Sequence, residues 1–192
     1  QYKSLVPNYK YFDQLSYTTP LGDLNVLIKK CDQSSGLVKE FDLAASKFIL
    51  FGTPFNPELK KDFYSQVDGF FVGIEITEKS VRFIRDPIGS RAFYHSQISN
   101  KPVLATEIKS FKCIEGFDLV PRGEAIAEYL SFSFIPGEKT FIKDINEISL
   151  GSYLEYGIKS TKQVDYCRYH ENEGQWDNLG IDELKGKFSQ TL

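Results

Sequence analysis

Methionine is absent from this sequence, even at position 1, where Gln1 stands. The natural start is therefore expected to have been trimmed or to lie upstream. Cysteine is scarce: Cys31, Cys113 and Cys167 are odd in number and far apart, without a C-x-x-C pair. That spacing speaks against a disulfide framework or a structural zinc site and reads as three thiols in a reducing cytoplasm. Histidine occurs only at His95 and His170, neither with a second histidine or a carboxylate at metal-ligand spacing. G-x-S-x-G, G-x-x-x-x-G-K-[ST] and G-x-G-x-x-G are all missing, so no nucleophile elbow or glycine-rich phosphate cradle is expected. No apolar run nears the ~20 residues that span a bilayer. The longest, residues 44–51, is interrupted by Lys47. No charged stretch leads into an apolar one at the start, so no secretory signal is visible. The net charge of −3, from 23 Lys and Arg against 26 Asp and Glu, offers no field for nucleic acid or an acidic membrane.

What is present fits a packed domain. The 192 residues are 41% apolar and 26% charged, enough for one domain, or two only if both are small. Sixteen Phe and 11 Tyr, interleaved with β-branched residues, argue for a sheet-rich core.

Along the chain, residues 1–23 read as an irregular lead-in or an edge strand, and 24–30 as a short strand. A turn is expected at 34–36, a buried strand at 47–52, and a helix at 58–66 with Leu59 and Phe63 on one face. Residues 70–76, 81–85, 91–95 and 102–106 predict an antiparallel meander. Asp86-Pro87-Ile88-Gly89 is the turn between its second and third strands, with glycine free to take positive φ. Helices follow at 107–113 and 123–132, the second with Ile126, Tyr129 and Leu130 on one face. Strands are expected at 152–158 and 163–169, then a polar link at 176–180 and a new amphipathic helix from Ile181.

Several segments then line up in order with one family. They are Asp68-Gly69-Phe70-Phe71-Val72-Gly73-Ile74, Arg85-Asp86-Pro87-Ile88-Gly89-Ser90-Arg91-Ala92-Phe93-Tyr94 and Leu104-Ala105-Thr106-Glu107-Ile108-Lys109-Ser110-Phe111. Further on come Glu128-Tyr129-Leu130, Ile135-Pro136-Gly137, Thr140-Phe141 and Gly151-Ser152-Tyr153-Leu154. Across residues 47–169 the sequence resembles asparagine synthetases. The resemblance implies an N-terminal class II glutamine amidotransferase domain with an Ntn-type fold, an α+β four-layer αββα sandwich of two antiparallel sheets. It also implies an ATP-using synthetase (ATP-pyrophosphatase-like) domain after it. On that reading residues 1–170 form the glutaminase-like domain, and 171–192 form a linker and the first helix of the synthetase domain. ATP and Mg²⁺ would belong to that second domain, with no cofactor or metal in this chain. The expected partner is the synthetase domain, in cis or in trans; a homodimer stays open.

The glutaminase chemistry implied by the resemblance does not map onto these residues. The family uses an N-terminal cysteine whose α-amine, with a pKa near ~8, accepts the thiol proton. Here Gln1 comes first, and Cys31 is internal and not followed by Gly-Ile. The family's N-G-E-I-Y-N segment aligns with Phe51-Gly52-Thr53-Pro54-Phe55-Asn56, so Phe51 stands where an asparagine donates to the oxyanion. The Arg that clamps the glutamine carboxylate has no counterpart, because the five arginines all lie at or beyond Arg82. Only eleven residues separate Asn56 from Asp68, too few for the family's S-D-T-E segment and its helix. No catalytic residue is assigned. Gly52, Asn56, Arg85 and Asp86 are the candidates for a vestigial pocket, the last two expected to anchor a turn through an ion pair and backbone hydrogen bonds. Glu107 and Lys109 are cap and surface charge, or an interdomain contact. The chain is expected to lack glutamine hydrolysis. Two alternatives remain, a free-standing binding module on the same fold and an active glutaminase whose cysteine lies upstream.

Overall fold

The computed structural model describes residues 12–29, 38–55, 69–98, 101–114, 116–167, 179–183 and 185–186. The predicted turn at 34–36 and helix at 58–66, with Cys31, Asn56, Arg168 and His170, lie outside these residues. The strands are β1 (Phe12–Thr19), β2 (Gly22–Lys29), β3 (Val38–Leu43), β4 (Ser46–Pro54), β5 (Gly69–Thr77) and β6 (Ser80–Arg85). They continue as β7 (Tyr94–Ile98), β8 (Lys101–Ala105), β9 (Asn146–Glu147), β10 (Ser152–Gly157) and β11 (Thr161–Asp165). A six-stranded sheet has the order β11-β10-β6-β5-β4-β3, with β3 and β11 at its edges. A three-stranded sheet runs β8-β7-β9, and β1-β2 form a hairpin. Every pairing between these strands is antiparallel.

The period of two divides the six-stranded sheet into two faces. Ile49, Ile74, Phe83 and Leu154 form one row across its inner face. They pack with Phe93 and Ile148, and with Leu104 of β8 and Tyr17, Leu24 and Val26 of the hairpin. Phe83 meets Phe93 and Tyr156 edge-on, with centroids 6.1 and 5.8 Å apart. The core therefore lies between sheets, as an α+β sandwich requires. The outer face buries a second cluster, Phe48, Leu50, Phe71 and Ile84.

One outer row is charged. Phe41, Phe48, Glu75, Arg82, Glu155 and Lys162 stand side by side across all six strands. Arg82 bonds Glu75 (3.0 Å) and Glu155, and Lys162 adds to Glu155 at 3.3 Å. Burial alone would raise the Glu155 pKa, but the Arg82 and Lys162 contacts outweigh it and hold it below the ordinary value. Arg82→Met removes the shared cation and leaves two largely buried carboxylates facing each other. The expected loss is about 2–3 kcal/mol at neutral pH, discounted because Arg82 keeps some contact with water. The sign follows from linkage: a depressed carboxylate pKa stabilises above its unfolded value, near ~4.3, and that contribution fades as acid protonates it. Urea unfolding of both proteins should show the gap holding above about pH 4.3 and narrowing below it. A gap independent of pH would mean that only packing was lost.

The sequence reading needs correcting in places. Of the two readings of the lead-in, residues 12–23 take the strand one, as β1, a turn and the start of β2. β3 was not expected; its alternation of Val38, Glu40 and Asp42 with Lys39, Phe41 and Leu43 suits a half-exposed edge. The predicted meander divides after β6, since the third and fourth strands belong to the other sheet. The third also starts later, at Tyr94, because Arg91 and Phe93 give their backbone carbonyls to the Arg85 side chain and the Ile148 N–H instead. Residues 108–113 form a 3-10 helix, with i→i+3 bonds from Ser110 to Glu107 and from Ile114 to Phe111. β11 likewise ends at Asp165, short of the predicted 169. Helix α1 (Gly123–Phe132) has the predicted bounds, starting with Glu124 at the favourable end of its dipole and ending at Ser133 in the left-handed region. Its fully buried residue is Ala125, whereas Ile126, Tyr129 and Leu130 face water. Backbone at 181–183 and 185–186 is helical, as expected from Ile181 onward. No helix among the described residues is long and apolar enough to cross a membrane.

Candidate functional site

Arg85 and Asp86, two of the candidate residues, stand where β6 ends. Asp86 is fully buried. Its Oδ1 accepts the backbone N–H of Ile88 and Ser90, each at 3.1 Å. Its Oδ2 accepts the Ser90 hydroxyl at 2.6 Å and the Phe71 N–H at 3.3 Å. The Asp86 carbonyl accepts N–H groups from Gly89 and Gly151, each at 3.1 Å. Gly89 closes this turn at φ +65°, and a Cβ there would stand 2.1 Å from Leu150 Cδ2.

Arg85 is 7% exposed and equally occupied. Its Nη2 pairs with Glu147 at 2.8 Å, Nη1 donates to the Ile148 carbonyl at 2.6 Å, and Nε to the Arg91 carbonyl at 3.0 Å. The Tyr166 hydroxyl donates to the Arg85 carbonyl at 2.7 Å. The expected ion pair therefore exists, but its carboxylate is Glu147 and not Asp86. Neighbouring strand residues point to opposite faces, so Arg85 reaches inward toward β9 while Asp86 turns to its own loop.

Gly52 shares a row with this turn. It stands opposite Phe71 on β5, and Phe71 in turn accepts the Asp86 backbone N–H and donates its own N–H to the Asp86 carboxylate. Gly52 has φ +145°, and a Cβ there would lie 2.1 Å from the Phe70 carbonyl oxygen. Only glycine fits. Phe51, one residue earlier, packs its ring against the inter-sheet core. Gly52 and Asp86 are thus brought together, and Arg85 faces the opposite side of the sheet. Glu107 and Lys109 lie apart, as an exposed pair 2.6 Å from each other. Glu107 makes no side-chain cap bond, contrary to the capping role.

A cleft of about 630 Å³ lies beside Arg85, between Glu138 and Glu147 on one side and Asp165 and Cys167 on the other. Glu138 accepts bonds from Ser149 and Gln163, and Asp165 from Ser152. A smaller cleft of about 290 Å³ is lined by His95, Asn146, Tyr156 and Thr161. Burial lowers the His95 pKa and pushes the Tyr156 phenol up to about 12, so both are neutral near pH 7. Cys167 and His95 thus line different clefts and do not form a nucleophile–base pair. Among the described residues no group of three His, Cys, Asp or Glu could hold a metal ion.

Glu147, Ser90 and Tyr166 were missed in the sequence. Glu147 lies 62 positions from Arg85 on a two-residue strand, and no local pattern marks it. Ser90, in contrast, sits in the Asp-Pro-Ile-Gly-Ser turn, where an Asp side chain commonly binds backbone groups shortly after it.

The family model described as glutamine amidotransferase domain matches residues 57–167, more than half of the chain. A curated relative, asparagine synthetase [glutamine-hydrolyzing] 1 of Bacillus subtilis (strain 168), is 27% identical over 85 residues. That alignment takes in 44% of this chain and 13% of the relative, so the chain spans only a small part of that protein's length. Two solved structures resemble it. One is the allosteric regulatory enzyme of purine biosynthesis, with TM-score 0.42 and 12% identity over 67% of this chain and 30% of that one. The other is glutamine phosphoribosylpyrophosphate amidotransferase from B. subtilis complexed with ADP and GMP. Its TM-score is 0.44 and its identity 11%, over 76% of this chain and 35% of that one. With the matched span running from before β5 through β11 and including the Arg85–Asp86 junction, the chain belongs to the glutamine amidotransferase domain family.

Proposed function

We propose that this domain is the N-terminal, glutaminase-like part of an asparagine-synthetase-related ligase that forms amides at the expense of ATP, and that it does not itself hydrolyse glutamine. The observation that carries the reading is Phe51. The resemblance aligns it with the family's oxyanion donor, its side chain offers no N–H, and its ring packs against the core. Losing one such donor costs ~3 kcal/mol of transition-state stabilisation, or roughly 10²–10³ in kcat. The side chains of Arg85 and Asp86 are engaged in holding the fold at the end of β6. ATP and Mg²⁺ would act on the synthetase part, in cis or in trans, in the cytoplasm.

Purified protein incubated with glutamine should release glutamate only at background. Release above background that disappears in Cys31→Ala would overturn this. Reading the upstream coding sequence separates the remaining alternative: Met-Cys-Gly-Ile followed by an arginine motif would restore an active glutaminase.

A further inference from the structure

The strongest unexplained surface is the outer face of α1 and the loop after it. Ile126, Tyr129 and Leu130 follow one another at helical spacing and are 41%, 47% and 79% exposed. Phe132, Phe134 and Phe141 extend the face at 59%, 60% and 40%. The rings are contiguous in pairs, Tyr129 on Phe141 at 5.2 Å and Phe132 by Phe134 at 6.2 Å. These six side chains leave roughly 500–600 Å² of apolar surface in water, the top of the range for the largest patch on a monomer. A standard interface buries ~800 Å² per partner, so an apolar centre of this size with a polar rim fits one.

The path of the chain indicates the occupant. Gln163 on β11 donates to Glu138, four residues beyond Phe134, and Cys167 lines the same cleft as Gly137 and Glu138. The described chain therefore reaches Cys167 beside the segment that follows Phe134. When helical backbone resumes at Ile181, that residue is 73% exposed, a second apolar position facing water. The eleven residues 168–178 reach up to ~36 Å when extended, ample to return to α1.

From this we infer that the α1 face is the docking surface for the domain that begins at Ile181 in the full-length protein. The exposed Glu107–Lys109 pair is the competing surface. This rests on the proposed parent architecture and names where its second domain sits.

The test is thiol labelling read peptide by peptide, in the 192-residue chain and in the full-length protein, each carrying Leu130→Cys or Glu107→Cys. Both positions are exposed, so neither substitution should disturb folding. Peptide resolution keeps the native cysteines out of the readout. The thiol introduced at position 130 should label about tenfold more slowly in the full-length protein than in the short chain, with position 107 unchanged. Equal labelling at 130 in both proteins would overturn the inference while leaving the two-domain reading intact, as would protection at 107 instead. Protection at 130 in the short chain that grows with its concentration would assign the face to a second copy and also overturn it. A full reading frame with no domain after Ile181 would overturn the two-domain reading and this inference together.

Discussion

Asp86→Ala should cost about 4–5 kcal/mol, enough to unfold many domains of this size. The substitution deletes the charged acceptor of four donors, leaving the Phe71 N–H buried without a partner and releasing the N–H groups of the exposed residues Ile88 and Ser90 and the Ser90 hydroxyl from the turn. All four donors are neutral, so the loss is one of hydrogen bonding and not of charge pairing. Asp86→Asn should be milder, about 2 kcal/mol, since its carbonyl can keep Ile88 and Ser90 while its amide opposes the Phe71 N–H. Urea denaturation of the three proteins would read this order. Equal losses in Ala and Asn would mean that the residue acts through its negative charge.

The second large effect is expected at Gly52. Alanine there must either hold a conformation that L residues rarely adopt or part β4 from β5, because its Cβ would fall 2.1 Å from the Phe70 carbonyl oxygen and 2.8 Å from Phe71 Cα. Backbone obstacles cannot rotate away. We expect about 3–4 kcal/mol, from ~1–3 of dihedral strain plus disruption of the ladder. Gly123→Ala is the control: nothing lies within 4 Å of its Cβ, and alanine at the start of α1 should be neutral or stabilising by a few tenths of a kcal/mol. Thermal unfolding of both variants checks the contrast, and comparable shifts would show that space around Gly52 is easily made. Strand packing alone is enough to require glycine at position 52.

How far the sequence could be read depended on the range of the interactions. β4, β5, β6, β8, β10 and α1 were legible because their apolar periodicity and flanking turns are local signals. β3 was not, because an edge strand with charge on both faces has no period distinguishable from a loop. The division of the meander into two sheets was also hidden. It depends on the turn at Asp86 redirecting the chain, and on Ile148 N–H reaching the Phe93 carbonyl 55 positions away. At the site, Arg85 and Asp86 stood out from their motif, yet Arg85's partner Glu147 follows from topology. The helical spacing of Ile126, Tyr129 and Leu130 was equally plain. Periodicity reports that a helix has an apolar face, and leaves open whether its own domain covers that face.

The edges of the sheets limit how this domain can be approached. The six-stranded sheet ends in β3, with Lys39, Glu40 and Asp42, and in β11, with Lys162 and Asp165; the smaller sheet ends in β8, with Lys101 and Pro102. Charges and proline on outer strands discourage another chain from adding its own strand. Association by backbone pairing, the route to runaway fibrils, is therefore disfavoured at each of these borders. At these borders a partner must meet the domain through side chains, where shape and not main-chain geometry decides which surface is accepted.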